Sequence, residues 1–304
     1  MKDFIYKYRR YAIALGIGIV FVVAVILFGG LFRENLIIKA QQRELSEKKA
    51  EALKQEASII PTGAPVTQDV TVDKEPEDKE EDTEVFATAT PTPTPIPEPI
   101  MLPEYAVLYE ENPDVIGWLS VEGTNIDYPV MQTPEDEQYY LYRDFYGEEN
   151  RNGSLIMDTE STVGVGCREQ AYIGGTSPSA NLIIHGHTMK SGLMFGKLSL
   201  YEDETYGKEH NIICFDSLYE KREYELISVF RSRVYRKSDP VFKYYQFFEA
   251  DTEAEFQTWY HNIKEMALYD TGVTAQFGDE FITLTCCAYH VEDGRFVVVG
   301  RRVK

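Results

Sequence analysis

The chain has little basic charge for its length. Its 304 residues carry 30 Lys and Arg against 50 Asp and Glu, which gives a formal net charge of −20. Because nucleic-acid binding depends on a broad basic surface that neutralises phosphates, this balance argues against a nucleic-acid partner. Residues 101–304 hold 18 basic and 34 acidic groups, so most of the excess negative charge lies in that part of the chain.

Cysteines are few, and their spacing along the chain is not that of a zinc site. The four are Cys167, Cys214, Cys286 and Cys287, and no Cys-x-x-Cys occurs. The absence of this spacing argues against a structural zinc site. An even number of cysteines outside a membrane still leaves a disulfide open.

One long stretch near the N-terminus carries no charge at all. Residues 11–32 form a run of 22 residues rich in aliphatic side chains and Phe. A helix of that length reaches about 33 Å, enough to cross a bilayer core of about 30 Å. A cleaved signal peptide is the alternative, but its apolar region spans only about 7–15 residues before a small-residue cleavage site. We predict an anchor over 12–32, with 1–11 cytoplasmic because these residues are basic.

Residues 33–100 are predicted to connect this anchor to a domain. Up to about residue 58 the segment is charged and rich in helix formers, which predicts a solvated helix beside the membrane. Strongly apolar positions are too few there to support a long coiled-coil seam. From residue 59 an acidic cluster is followed by alternating prolines, which favour an extended chain. We interpret this Pro-rich, acidic linker as a spacer, with a proline-rich peptide ligand as the alternative.

Residues 101–304 have the pattern of one β-rich domain. Short apolar runs recur between turn signals, as expected for a barrel or a sandwich. Two helical patterns interrupt them, at 104–111 and 253–268, and the second has an amphipathic face suited to packing on a sheet. That face comprises Phe256, Trp259, Tyr260 and Ile263. The strand-like runs are 126–130, 154–157, 181–184, 212–215, 224–230, 281–285 and 296–299.

Candidate chemistry lies near the C-terminus. Cys286 and Cys287 end a strand-like run, so alternation should turn one of them to the core and the other to the opposite surface. A cysteine nucleophile acts as the thiolate, which a nearby cation or His favours. The hairpin signal Asp293-Gly294 would place Arg295 across the ladder from Cys287. A guanidinium there can hold a peptide carbonyl or a developing oxyanion.

A pair of histidines supports a different hypothesis. His185 and His187 lie on the same side of a predicted strand, and a His-x-His pair can bind zinc. No third or fourth ligand follows at a standard spacing, although His210 and His290 could serve. A zinc-dependent hydrolase therefore stays open beside the cysteine nucleophile.

Several segments of the chain resemble motifs of the sortase family, and they follow one another in the family's order. Residues 283–287 (TLTCC) are similar to the family's TLxTC strand, and residues 185–187 (HGH) to its Tyr-Gly-His segment. Residues 294–303 resemble the Arg-bearing last strand. The entry helix and first strand (112–132), the segment after the catalytic His (194–201) and the class B insertion (253–272) are also matched. The resemblance covers about residues 104–304, and the ordered set of motifs is more specific than any one of them.

The resemblance implies a fold and a set of site residues. The fold is expected to be mainly β: a closed sortase-type barrel with a few helices over residues 101–304, after a single transmembrane helix and an extended stalk. By position, Cys287 is the nucleophile, His187 the acid/base partner and Arg295 the oxyanion or substrate clamp. No cofactor and no metal are expected.

The sequence departs from the family pattern at three places. Cys286 stands where Thr is usual, which leaves it open as an alternative thiol. His185 stands where Tyr is usual and adds a second titrating group. Residues 159–180 form a Gly-containing stretch that looks longer than the family's connection.

The resemblance also implies partners and a location. A sortase similar to this chain cleaves a C-terminal sorting motif of surface proteins after Thr, through a thioacyl intermediate. It then joins the fragment to an amine of a peptidoglycan precursor or, in the alternative of a pilin-polymerising sortase, of a pilin. The expected location is the membrane of a Gram-positive cell, with the catalytic domain extracellular. A catalytically silent, membrane-tethered binding module of the same fold is the non-enzymatic alternative.

Overall fold

Eight strands and four α-helices make up the described part of the chain. The computed structural model describes residues 2–59, 99–166 and 176–304, so the Pro-rich part of the linker and Cys167 lie outside it. The helices are α1 (Lys2–Ile59), α2 (Pro103–Glu111), α3 (Glu204–Glu209) and α4 (Glu253–Glu265). The strands are β1 (Val115–Ser120), β2 (Asp127–Met131), β3 (Leu155–Met157), β4 (Asn181–Gly186), β5 (Ile212–Ser217), β6 (Lys221–Arg233), β7 (Phe281–Cys287) and β8 (Gly294–Arg302).

The strands close into a barrel in the order β1-β2-β3-β4-β7-β8-β6-β5. The pairs β2/β3 and β4/β7 are parallel, and the other neighbours are antiparallel. Alternate apolar side chains fill the interior, as strand geometry requires. They include Leu119, Val130, Leu155, Leu182, Ile184, Ile213, Phe215, Leu226, Ile282, Leu284 and Val298. The prediction of a mainly β, closed barrel is confirmed.

Helix α4 covers the outside of the barrel with the face that its periodicity predicts. Phe256, Trp259 and Ile263 are buried against outward-facing side chains of β6, β7 and β8. Thr252 begins the helix with a capping box, which satisfies donors of the first turn. The helix ends at Glu265 rather than at 268, because the Leu268 N–H donates instead to the Val229 carbonyl of β6.

The first half of α1 has the composition of a membrane span. Among the described residues, one helical stretch, Leu15–Ser58, is long and apolar enough to cross a membrane. Its most apolar 18 residues have a mean hydropathy of 2.8, and none of them is buried. This agrees with an anchor over 12–32, while its orientation stays a prediction.

The second half of α1 is helical, as predicted, but one side of it packs on the domain, which corrects the expectation of a fully solvated helix. Ile38 is 4 % exposed and Leu45 1 % exposed. Between them, the Gln41 side chain donates to Asp144 at 2.7 Å, and the Gln42 side chain donates to the backbone oxygen of residue 127 at 2.8 Å. Because apolar and polar contacts alternate in this interface, this half of the helix contains few strongly apolar residues.

Lys49 adds contacts with two aromatic rings to this interface. The Lys49 ammonium lies 3.8 Å from the ring centroid of Trp118 and 4.8 Å from that of Tyr105, an arrangement that favours a cation. Burial lowers the pKa of Lys49 to about 8, although the carboxylates of Asp127 and Asp216 oppose that shift. The helix is therefore held by aromatic and electrostatic contacts as well as by Leu45.

We expect Leu45→Ala to destabilise the docked helix by roughly 2–4 kcal/mol, because the truncation leaves a cavity in a buried contact. Urea unfolding of the full chain in detergent, followed by Trp fluorescence, measures the change, since Trp118 lies in this interface. Leu53→Ala is the matched control: Leu53 is on the same helix but 40 % exposed, and its truncation should cost less than about 0.5 kcal/mol. Equal effects of the two substitutions would contradict the docking.

Candidate active site

Three neighbouring strands bring the predicted site residues to one end of the barrel. In the parallel pair β4/β7, Gly186 lies opposite Cys286, so His187 follows β4 at the level where Cys287 ends β7. In the antiparallel pair β7/β8, Cys287 lies directly opposite Arg295. His187, Cys287 and Arg295 all line one cavity of about 350 Å³. The structure thus places together the three residues that the motifs single out.

The two adjacent cysteines face opposite sides of the strand, as alternation predicts. Cys286 is 3 % exposed and packs with Ile282 and Leu284 in the barrel interior. Burial raises the pKa of the Cys286 thiol to about 11. Cys287 is partly exposed in the cavity. The surroundings therefore favour Cys287 over Cys286 as the accessible thiol.

This difference predicts the order of chemical modification. At pH 7.5, iodoacetamide should alkylate Cys287 at least about tenfold faster than Cys286, because a buried, protonated thiol is unreactive. Tandem mass spectrometry of the peptide that contains both residues assigns the label. In urea the two rates should converge, which is the control for intrinsic reactivity. Faster labelling of Cys286 in the folded chain would contradict the assignment.

The glycine between the two histidines is required by packing. A Cβ at Gly186 would lie 2.5 Å from the ring of Phe195 and 2.7 Å from the side chain of Leu155. Both neighbours belong to the barrel core, so they have little room to move. A larger residue here would displace the end of β4, and with it His187.

A backbone carbonyl orients His187. Its Nε2 lies 2.7 Å from the Leu141 oxygen, and because a carbonyl only accepts, Nε2 carries the hydrogen. The imidazole ring also lies 5.2 Å from the ring of Tyr142. Thr188 donates its hydroxyl to the carbonyl of Cys287, which ties the ends of β4 and β7 together. Nδ1 of His187 is then the nitrogen left for proton exchange.

A hairpin with a connection of residues 288–293 positions Arg295. Asp293 has φ of 55°, a left-handed conformation suited to such a turn, and the Ala288 N–H donates to the Gly294 oxygen at 2.9 Å. This confirms the predicted hairpin. The Arg295 guanidinium donates to the Gly294 carbonyl at 3.0 Å. The same nitrogen also donates to the Asp293 carbonyl at 3.4 Å, so the N–H groups on the other two guanidinium nitrogens stay available for a ligand.

Sequence reasoning missed the remaining walls of the cavity. Leu141 and Tyr142 belong to a short 3-10 turn, and Tyr244 bonds to Thr285 at 2.7 Å beneath the site. Leu141, Tyr142 and Tyr244 lie in none of the recognised motifs. They come from connections between strands, and only the closed barrel brings those connections next to β4 and β7.

His185 forms a separate group with two carboxylates. Its Nε2 lies 3.1 Å from Asp158 and 3.9 Å from Glu137. Burial raises the pKa of Glu137, and the nearby charge of Asp158 raises it further. One ligand atom from each of the three residues lies within 4.8 Å of the others, and His187 is not part of this group. The zinc hypothesis paired both histidines, whereas here they bond to different partners.

Solved structures share this barrel. The crystal structure of sortase B from Bacillus anthracis in complex with AAEK1 is 30% identical to this chain and superposes with a TM-score of 0.54. The match covers 69% of this chain and 89% of that one. The chain belongs to the sortase B family. The resemblance noted in the motifs is thereby confirmed.

Other sortases B agree with this assignment. A Staphylococcus aureus sortase B–substrate complex matches with 26% identity and a TM-score of 0.56, covering 67% of this chain and 86% of that one. The curated sortase B of Listeria monocytogenes is 29% identical over 202 residues, which is 64% of this chain and 72% of the relative. No family model matches the chain. The family is one of sortase-type cysteine transpeptidases.

The structure explains how two residues that differ from the family motifs fit into this sortase. Cys286 fills a position in the barrel interior, where a small buried side chain suffices. His185 is held by Asp158 at one end of the cavity. Neither departure displaces His187, Cys287 or Arg295 from the shared cavity.

Proposed function

We propose that this sortase is a membrane-anchored cysteine transpeptidase. It cleaves a C-terminal sorting motif of surface proteins after Thr and joins the new carboxyl group to a cell-wall peptide amine. The observation that carries the proposal is the convergence of His187, Cys287 and Arg295 on one cavity at the end of the barrel. The Staphylococcus aureus relative described in complex with a substrate supports a peptide partner.

The first half of the reaction acylates the enzyme. The Cys287 thiolate attacks the Thr carbonyl carbon, and a C–S bond forms. The Arg295 guanidinium, directly across the ladder, stabilises the negative oxygen of the tetrahedral intermediate. His187 gives a proton to the leaving amine as the C–N bond breaks. The product is a thioacyl enzyme and a free C-terminal fragment.

The carboxylates near His185 support a preference in the donor peptide. Glu137 and His185 line the same cavity as Cys287, and Asp158 stands behind His185. Carboxylate oxygens accept hydrogen bonds and attract cations. A side chain that donates hydrogen bonds should therefore be selected in the part of the sorting motif that reaches this end.

A peptide-library assay tests the proposed function. The full chain in detergent micelles is mixed with peptides of varied sorting motifs and with a primary-amine peptide, and the products are read by mass spectrometry. We expect cleavage after Thr and a new amide to the added amine. Binding without turnover would favour the silent binding module. Turnover that requires stoichiometric zinc and stops with a chelator would favour the hydrolase.

A further inference from the structure

A second cavity meets the candidate active site from another side. It has a volume of about 410 Å³ and shares His187 and Cys287 with the first cavity. Arg295 and His185 line only the first cavity. A transpeptidase must bring a donor and an acceptor to the same carbonyl carbon. Two cavities that share the nucleophile and the acid/base residue suit that requirement.

Helix α1 supplies one wall of the second cavity. Leu31, Glu34 and Asn35 line it from the helix side. They precede Ile38 and Leu45 on the face that packs against the domain, so the same docking that buries those two side chains sets the position of this wall. The cavity is therefore shared between the membrane-proximal helix and the barrel.

Basic and acidic side chains line different sides of the second cavity. Arg151 and Lys190 stand on the barrel side, whereas Glu34 is the one carboxylate among the described residues that line it. Within the part of the chain that the structure describes, the partly buried Glu34 carboxylate forms neither an ion pair nor a side-chain hydrogen bond. A cationic ligand group would therefore settle on the helix side, where Glu34 can accept its hydrogen bonds.

We propose that this cavity binds the amine acceptor and that Glu34 holds the acceptor's ammonium group. The proposal rests on the transpeptidase function proposed above. The uncharged run of α1 ends at Phe32, two residues before Glu34, which is roughly 3 Å along a helix axis. The cavity therefore lies close to the end of the apolar segment of α1. An acceptor held at a membrane surface would reach it without leaving that surface.

Resolution of the thioacyl enzyme transfers its acyl group to the acceptor amine. The ammonium first loses one proton to water, and the neutral amine nitrogen attacks the thioacyl carbon. A C–N bond forms and the C–S bond breaks, so that Cys287 leaves as the thiolate. The second proton of the amine passes to His187, which restores the protonation state needed for the next acylation. Glu34 positions the acceptor and forms no bond to the reacting carbon.

The test compares two fates of the same thioacyl enzyme. The full chain in detergent micelles receives a cleavable donor peptide and an amine peptide, either soluble or carrying a lipid tail. The ratio of amide product to hydrolysed product depends on the acceptor and is independent of the rate of acylation. We expect Glu34→Gln to lower this ratio roughly fivefold to tenfold, and Glu34→Lys to lower it further, because a charge-assisted contact is lost. Glu47→Gln, on the exposed face of the same helix, is the control.

The outcomes separate this inference from the function on which it rests. An unchanged ratio in Glu34→Gln and Glu34→Lys, with both products formed, would overturn the role of Glu34 and leave the transpeptidase intact. Absence of both products in the unmodified chain would instead refute the transpeptidase. A higher ratio for the lipid-tailed amine identifies a membrane-held acceptor, and equal ratios identify a free amine peptide as sufficient.

Discussion

Replacing Cys287 with Ala should reduce cleavage of a sorting peptide by at least about 10³-fold, because the other thiol beside the cavity, Cys286, is buried and its raised pKa keeps it protonated. The fold should survive, since the side chain faces the cavity rather than the barrel interior. Product formation under single-turnover conditions measures the loss. Circular dichroism and urea unfolding of the same sample confirm that the barrel remains folded.

Cys286→Ala is the matched control for this prediction. It removes the neighbouring thiol on the same strand but from the barrel interior, where the side chain is 3 % exposed. We expect this variant to lose roughly 1 kcal/mol of unfolding free energy, as for a small truncation in a core. Its kcat/KM should stay within about threefold of the unmodified chain. The reverse pattern, with activity lost in Cys286→Ala and kept in Cys287→Ala, would move the nucleophile to Cys286.

Arg295→Ala should lower kcat/KM by about 10²–10³-fold, the usual loss when a donor to a developing oxyanion is removed. Arg295→Lys should recover little of it, because an ammonium keeps the charge but not the planar set of donors. The position explains the size of the effect. Arg295 lies directly opposite Cys287 on β8.

Arg301→Lys is the control for strand β8. Arg301 lies on the same strand but donates to the Thr274 carbonyl, away from the cavity. Its kcat and KM should change little. If Arg295 acts on the transition state, its substitution lowers kcat; if it only holds the peptide in the ground state, KM alone rises. Equal losses for Arg295→Lys and Arg301→Lys would assign Arg295 a structural role.

The strands of the barrel and the approach of Arg295 to Cys287 were predictable because their signals are local. A strand alternates with a period of two, and so the apolar runs marked β2 to β8 and placed Cys286 and Cys287 on opposite faces. The Asp293-Gly294 signal indicated a hairpin between β7 and β8, and the structure pairs Cys287 with Arg295 across a connection of residues 288–293. The position of His187 beside Cys287 followed from the resemblance, since nothing local shows that β4 and β7 are neighbours.

The docking of α1 was not predictable in the same way. Its interface uses Gln41, Gln42 and Lys49 as well as Leu45, so the apolar stripe along the helix is too sparse to distinguish from a solvated face. The partners of these side chains lie far along the chain, among them Trp118 and Asp144. Polar complementarity between distant segments leaves no periodic trace in the sequence.

The walls of the two cavities were hidden for a related reason. Tyr142 and Glu137 come from an irregular connection, and Glu34 comes from a helix that the sequence predicts to be solvated. Each acquires a role only when the closed barrel and the docked helix bring it beside Cys287. The second cavity in particular cannot be inferred without knowing that α1 packs on the domain.

The intact mass of the full chain, taken after brief mixing with a cleavable sorting peptide, shows whether Cys287 carries the acyl group. We expect a mass increase equal to the N-terminal fragment of the peptide, released by hydroxylamine as for a thioester and mapped by tandem mass spectrometry to Cys287. The adduct should form in Cys286→Ala and be absent in Cys287→Ala. Peptide turnover without any adduct, or an adduct on another residue, would show that Cys287 is not the nucleophile.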